Sequence, residues 1–213
     1  MHITPISESA VVCVLPPPAT LDQQRRLWAF AHQLQQEEDI VEVVVGMNNL
    51  TVFMDFMTDF TPLIQRLEQS WQTLTVNTFQ GNHIEIPVIY GGEVGQDLIE
   101  VAEYHHCSPQ EIIDRHTAPT YTVYMIGFQP GFPYLGGLPE SLHTPRRANP
   151  RTEVPAGSVG IGGAQTGIYP FASPGGWQLI GHTEQALFDK TREKPTLLQA
   201  GDTVKFVVER IEL

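Results

Sequence analysis

Hydrophobic positions along the chain follow two rhythms, and the change from one to the other falls near residue 90. Before it, short β-branched runs alternate with stretches of helical period. "AVVCVL" (10–15) reads as a strand. "PPPAT" interrupts the chain, and Thr20 stands where it can cap a helix over 21–36. Leu21, Trp28, Ala31 and Leu34 share one face of that helix, and Leu27 and Phe30 widen it. "IVEVVVG" (40–46) and "LTVFMDF" (50–56) form a hairpin about "MNN", where Asn tolerates positive φ. "TPLIQRLEQSWQTL" (61–74) repeats Leu63, Leu67, Ser70 and Leu74 at helical spacing, with Thr61 as cap and Pro62 in the first turn. "HIEIPVIY" (83–90) follows as a strand. The order β-α-β-β-α-β predicts a ferredoxin-like α/β domain over residues 1–87.

The second rhythm belongs to residues 88–213. Two short helices open it, "GGEVGQDLIEVAEYHHC" (91–107) and "SPQEIIDRHT" (108–117). Asp97 and Glu100 lie early in the first, where the helix dipole favours acids, and Ser108 with Glu111 makes a capping box for the second. "TYTVYMIGF" (120–128) is a strand. From Gly127 to Gly181 the chain gathers 12 of its 18 glycines and 8 of its 17 prolines and loses helical periodicity. Short strands joined by tight turns predict an all-β barrel or sandwich there, closed by an alternating strand within 196–211. The fold class is therefore α+β.

The same glycine-rich stretch carries Phe128, Phe132, Tyr134, Tyr169, Phe171 and Trp177. Glycine permits close backbone approach and proline fixes the path, so these rings either line a rigid concave surface or fill a barrel whose corners need glycine. Charge favours the surface. The 213-residue chain has a formal net charge of −12, yet "HTPRRANPR" (143–151) holds Arg146, Arg147 and Arg151 among prolines. Arg grips carboxylate or phosphate through paired hydrogen bonds, and adjacent residues of an extended backbone face opposite sides, so Arg146 and Arg147 point apart. The alternative is a surface ion pair with Glu140 or Glu153.

Other motifs are exclusions. Gln165 stands where a dinucleotide fingerprint beginning at Gly160 needs its third glycine, no GxxxxGK[ST] occurs, and Ser158 lies outside a GxSxG elbow. Gln165 and Thr166 offer polar groups to a pocket, and His143 and His182 are candidate proton carriers. His105 and His106 diverge by about 100° on a helix, which argues against a shared metal, and no metal site is expected. Two cysteines, no basic leader and no apolar run of spanning length suggest a reduced, cytoplasmic protein. The acidic balance argues against nucleic acid as partner.

"GFQPGFPYLGGLP", "TPRRANPRTEVPAGSVGIGGAQTGIYP" and "SPGGWQLIGHT", with "GMNNLTV" (46–52) and "YGGEVGQDLIEVA" (90–102), resemble the family of 5-oxoprolinase B subunits (PxpB), also called allophanate hydrolase subunit 1 or KipI-like. Gln96 departs from the proline common there. The resemblance implies a cyclophilin-like β-barrel as the second domain and two hetero-oligomeric partners, the C subunit (PxpC) and the A subunit (PxpA) of the enzyme. It implies ATP-dependent opening of 5-oxo-L-proline to L-glutamate, with ATP as co-substrate accompanied by Mg2+ and no tightly bound cofactor. Phosphorylation of the lactam is the chemistry expected. Arg146 or Arg147 would clamp the substrate carboxylate or the moving phosphoryl, and Gln165 would orient the lactam. Phe132, Tyr134, Tyr169 and Trp177 would wall the site, with His182 beside it. One branch of the family implies a different role, inhibition of a histidine kinase. The barrel analogy alone suggests prolyl isomerisation.

Overall fold

The computed structural model describes residues 1–57, 59–76 and 81–213. The chain divides into two compact units, Met1–Phe79 and Gln80–Leu213.

The first unit is a four-stranded antiparallel sheet covered by two helices. Its strands are β1 (His2–Ser7), β2 (Ala10–Val14), β3 (Ile40–Val45) and β4 (Asn49–Met54), in spatial order β1-β2-β4-β3. Helix α1 (Leu21–Leu34) begins in a capping box, with the Thr20 side chain accepting from the Gln23 N–H and the Gln23 side chain accepting from the Thr20 N–H. Its buried stripe is Gln24, Leu27, Phe30, Ala31 and Leu34, so Leu21 and Trp28 sit at the margin of the expected face. Gln24 bridges the β3–β4 turn, donating to the Gly46 carbonyl and accepting from the Asn48 N–H, and Asn48 takes φ +61° as the turn requires. Helix α2 (Thr61–Thr73) buries Leu63, Leu67 and Trp71. Thr61 is its first residue and not its cap; the Asp59 carboxylate, a stronger acceptor, takes the Thr61 N–H at 2.9 Å.

The ferredoxin-like order fails at its last strand. β2, β4 and β3 lie as that fold demands, but the place beside β2 is filled by β1, a strand that the hydrophobic pattern does not show. Residues 83–91 form β5 (His83–Gly91) of the second unit, so a boundary at 87/88 cuts through a strand. Between Leu74 and β5, residues 77–80 are outside the described part.

The second unit is built on a closed barrel of seven strands, in order β10-β7-β6-β13-β5-β12-β9. These are β6 (Tyr121–Ile126), β7 (Pro133–Gly136), β9 (Ser158–Gly162), β10 (Gln165–Ile168), β12 (Gln178–His182) and β13 (Thr203–Glu212), with β5. β5 runs parallel to β13 from His83–Thr203 to Gly91–Glu212, which makes the first and last strands of the unit neighbours. β8 (Arg151–Val154) and β11 (Ser173–Gly175) form a separate ribbon. Helices α3 (Leu98–Tyr104) and α4 (Pro109–Thr117) contribute Leu98, Val101, Ile112 and Ile113 to the barrel core, with Tyr90, Val123, Leu135, Ile161 and Phe206. The capping box of α4 forms as expected: Ser108 Oγ accepts from the Glu111 N–H and Glu111 accepts from the Ser108 N–H at 2.8 Å.

Candidate functional site

The aromatic residues of the glycine-rich stretch come together. Phe132, Tyr169 and Trp177 are buried with Val154 and Leu179, and half-buried Tyr134 packs against them. Ring centroids lie 4.9 Å apart for Phe132–Tyr134, 5.2 Å for Phe132–Tyr169 and 5.5 Å for Phe132–Trp177, mostly edge to face. Glycine makes this packing possible. A Cβ on Gly162 would sit 2.5 Å from Trp177 Nε1, and one on Gly175 would sit 2.5 Å from the Tyr169 phenol oxygen. Both alternatives read from composition are thus realised at once: glycines of a barrel strand and of the β8–β11 ribbon leave the space that the rings of a concave surface occupy. Phe128, at φ +67° and exposed, forms the outer rim, 5.4 Å from Phe132.

The resulting pocket holds about 140 Å³ and is lined by Phe128, Phe132, Tyr134, Tyr169, Trp177 and Arg146. Beside it lies an open cleft of about 400 Å³, lined by Glu100, Tyr104, Arg146, Arg147, Asn149 and Gln178 among others. Arg146 lines both. Its guanidinium carbon lies 5.8 Å from the centroid of the Trp177 ring, a cation–π contact, and no carboxylate of the described residues lies within ion-pair distance. Burial raises the pKa of the Tyr134 and Tyr169 phenols, and the Arg146 charge opposes that rise in each.

Arg147 shares the cleft with Arg146 but does not line the aromatic pocket, and its guanidinium is engaged by an acid. Its Nη1 donates to Asp97 Oδ1 at 2.9 Å, and Arg151 Nη2 donates to the same oxygen at 2.7 Å. The other oxygen, Oδ2, accepts from the Leu179 N–H at 2.7 Å. Asp97 is 2 % exposed, and it occupies the cap position of α3 without capping it. Neither Glu140 nor Glu153 is the partner of this loop; the acid lies some fifty positions upstream, on a residue whose local pattern indicates only helix-dipole stabilisation. Nothing near Asp97 in sequence signals the pairing. The loop is further tied by the Arg147 N–H to the Gly176 carbonyl at 2.7 Å, and by Gln178 Nε2 to the Pro145 carbonyl at 3.0 Å.

Three other candidates lie elsewhere. Gln165 opens β10 opposite Gly162, half-buried, and lines neither cavity. His182 is at the opposite end of β12 from Gln178, paired with Ser158 and close against Gly157, and it also lines neither. His143 bonds the Leu138 carbonyl. The helix read through "EYHHC" stops at Tyr104: His105 is its cap and bonds Thr144 Oγ1 at 2.9 Å, and His106 takes φ +53°. Among the described residues, no three His, Cys, Asp or Glu side chains converge as a metal set. No helix among them is long and apolar enough to cross a membrane.

Comparison with known proteins agrees with this two-unit architecture. The family described as carboxyltransferase domain, subdomain C and D, matches residues 1–198. The chain is 76% identical to a Haemophilus influenzae protein named as the B subunit of 5-oxoprolinase, over 100% of both chains. The chain belongs to the family of 5-oxoprolinase B subunits. It is 50% identical to the protein of that name from Escherichia coli O157:H7, covering 96% of this chain and 94% of that one. Among solved structures, TTHA0988 superposes with a TM-score of 0.79 at 34% identity, covering 95% of this chain and 40% of that chain. The Kluyveromyces lactis urea amidolyase superposes with a TM-score of 0.81 over 98% of this chain and 15% of that one, at 19% identity, a likeness of fold alone.

This member of the 5-oxoprolinase B-subunit family also carries a buried polar relay that local sequence does not reveal. His116, fully enclosed by the barrel, has Tyr90 Oη at 2.8 Å from Nδ1 and Thr166 Oγ1 at 2.9 Å from Nε2. Thr166 Oγ1 donates to the Gly160 carbonyl at 2.9 Å, so it accepts from His116 Nε2–H, and Tyr90 donates to Nδ1. The ring stacks on Phe206 at 4.5 Å, and burial pushes its pKa down to about 3. A neutral imidazole with both nitrogens engaged is a structural element, and Thr166, read as a pocket group, belongs to it.

Proposed function

We propose that the chain is the B subunit of an ATP-dependent 5-oxoprolinase that opens 5-oxo-L-proline to L-glutamate together with its A and C subunits. The observation that carries this reading is full-length likeness at 76% identity to a protein named as that subunit. The site supports it: a small aromatic pocket with one free guanidinium at its mouth suits a compact ring bearing a carboxylate. The barrel is read as cyclophilin-like, and the protein as cytoplasmic.

A lactam carbonyl is a weak electrophile, and transfer of the γ-phosphoryl group from ATP to its oxygen activates the carbon. Water adds to that carbon, the C–N bond breaks as nitrogen takes a proton, and the resulting acyl phosphate is hydrolysed by a second water to glutamate and phosphate. In this scheme Arg146 holds the substrate carboxylate. Phe132, Tyr134, Tyr169 and Trp177 exclude bulk water, which strengthens that ion contact. Mg2+ would accompany the nucleotide. No acidic set for it exists among the described residues, so no step is assigned to it on this chain.

The test is reconstitution with PxpA and PxpC and measurement of ATP-dependent glutamate release. Arg146→Ala is expected to lower kcat/KM for 5-oxo-L-proline by roughly tenfold or more, the loss of one charge-assisted contact. Release of glutamate at the wild-type rate by this variant, or none from the wild-type mixture, would remove the reading.

A further inference from the structure

The arginine loop brings three guanidiniums to one segment, but they are not equivalent. Arg147 and Arg151 converge on a single carboxylate oxygen of Asp97, at 2.9 and 2.7 Å, and exposed Glu100 approaches Arg147 at 3.7 Å. Asp97 is enclosed and its second oxygen is held by the Leu179 N–H, two residues beyond Trp177. The Asp97 N–H in turn donates to the Leu179 carbonyl at 2.9 Å, so Asp97 grips β12 by both backbone and side chain. It is therefore joined at once to the loop that carries Arg146 and to the strand that follows Trp177.

We infer that Asp97 is a positioning residue that sets the charge of the site: by engaging Arg147 and Arg151 it leaves Arg146 as the single free cation at the aromatic pocket among the described residues, which selects a small monocarboxylate over a polyphosphate. This rests on the reading of the pocket given above and deepens it, because the arginine loop could serve either the substrate carboxylate or a phosphoryl group. Two of the loop's three charges face acids. What remains matches one carboxylate and falls short of the several cations that a polyphosphate gathers. Arg147 is fixed by Asp97 and by its backbone bond to Gly176, while Arg146, one residue earlier, lies over Trp177 and alone of the three lines the aromatic pocket.

Two measurements test this. In the reconstituted enzyme, Arg146→Leu is expected to raise the KM for 5-oxo-L-proline by roughly tenfold or more, and Arg147→Leu by less than about threefold, because Asp97 keeps Arg151 and the Leu179 N–H. Equal losses would make Arg147 a ligand and overturn the assignment. An Arg146→Leu enzyme with unaltered KM and kcat would instead sink the functional reading beneath it. In the full chain, Asp97→Asn releases two guanidiniums. Titration with inorganic pyrophosphate is expected to show binding tighter than wild type by roughly fivefold or more, while 5-oxo-L-proline binds more weakly. A merely structural role for Asp97 yields loss of both, and pyrophosphate binding unchanged in a variant with native circular dichroism overturns the proposal. Where Asp97→Asn does not fold, the contrast between Arg146→Leu and Arg147→Leu decides.

Discussion

Side chains adjacent in sequence can have unrelated fates, and the arginine loop shows why. Arg146 lies over Trp177 at the aromatic pocket, while Arg147 is bound to Asp97. Which of the two meets an acid is then decided by residue 97, and no local pattern reports a partner fifty positions away. The glycines are more legible. Their density among aromatics announces close approach of ring and backbone, and Gly162 shows the mechanism, since the Trp177 indole occupies the space of its missing side chain. Gly162→Ala forces that ring off its rotamer or displaces β9. A loss of about 1–3 kcal/mol in urea unfolding is expected, as for other overpacked cores. Because Trp177 forms both the pocket wall and the surface under Arg146, the proposed function requires 5-oxo-L-proline affinity to fall in the same variant. Stability and affinity both within error of wild type would show that the strand yields without cost.

Elements are readable where a local rule governs them. α4 carries its own start signal in Ser108, Pro109 and Glu111, and α1 carries Thr20 and Gln23, so both begin where the sequence places them. β1 is invisible because "HITPIS" has one buried residue in six and is held by pairing with β2, not by burial. His116 is equally hidden: on α4 it is one more residue of the last turn, and only closure of the barrel sets it between Tyr90 and Thr166. Its enclosure makes a pH prediction. The unfolded imidazole titrates near pH 6.5 and the folded one near 3, so between these values the unfolded state binds the additional proton. Stability therefore falls as pH drops below about 6.5, with this residue contributing a slope of about 1.4 kcal/mol per pH unit until the folded pKa is reached. His116→Gln retains one acceptor and one donor but does not titrate. Its unfolding free energy should depend less steeply on pH between about 6 and 4 by about that slope, and parallel curves for variant and wild type would show that the imidazole titrates alike in both states.

Two units of different character are legible from the hydrophobic rhythm of the whole molecule, and the misplaced division between them has a physical cause. Residues 83–91 have the composition of any buried strand, and a pattern that lacks β1 needs a fourth strand to complete the first sheet. The barrel has the stronger claim. β5 is paired on both edges, with β13 along its whole length and with β12 at Ile89 and Tyr90, and it places Ile86, Val88 and Tyr90 in the core. Just ahead of it, Asn82 donates its N–H to the buried Asp202 carboxylate at 2.8 Å, which fixes where β5 and β13 begin their register. Two fragments separate the alternatives. One beginning at residue 81 retains every barrel strand and the Asn82–Asp202 bond. One beginning at residue 88 lacks His83–Pro87, leaving Thr203–Val207 of β13 an open edge and opening the barrel between them. The longer fragment is expected to unfold in one cooperative urea transition with the native near-ultraviolet signal of its buried tyrosines. The shorter should show neither, because a closed sheet that loses half a central strand exposes both its core and its hydrogen-bonding groups to water. A cooperative transition in the fragment from residue 88 would mean that the barrel closes without β5 in register, and the unit boundary would then lie later in the chain.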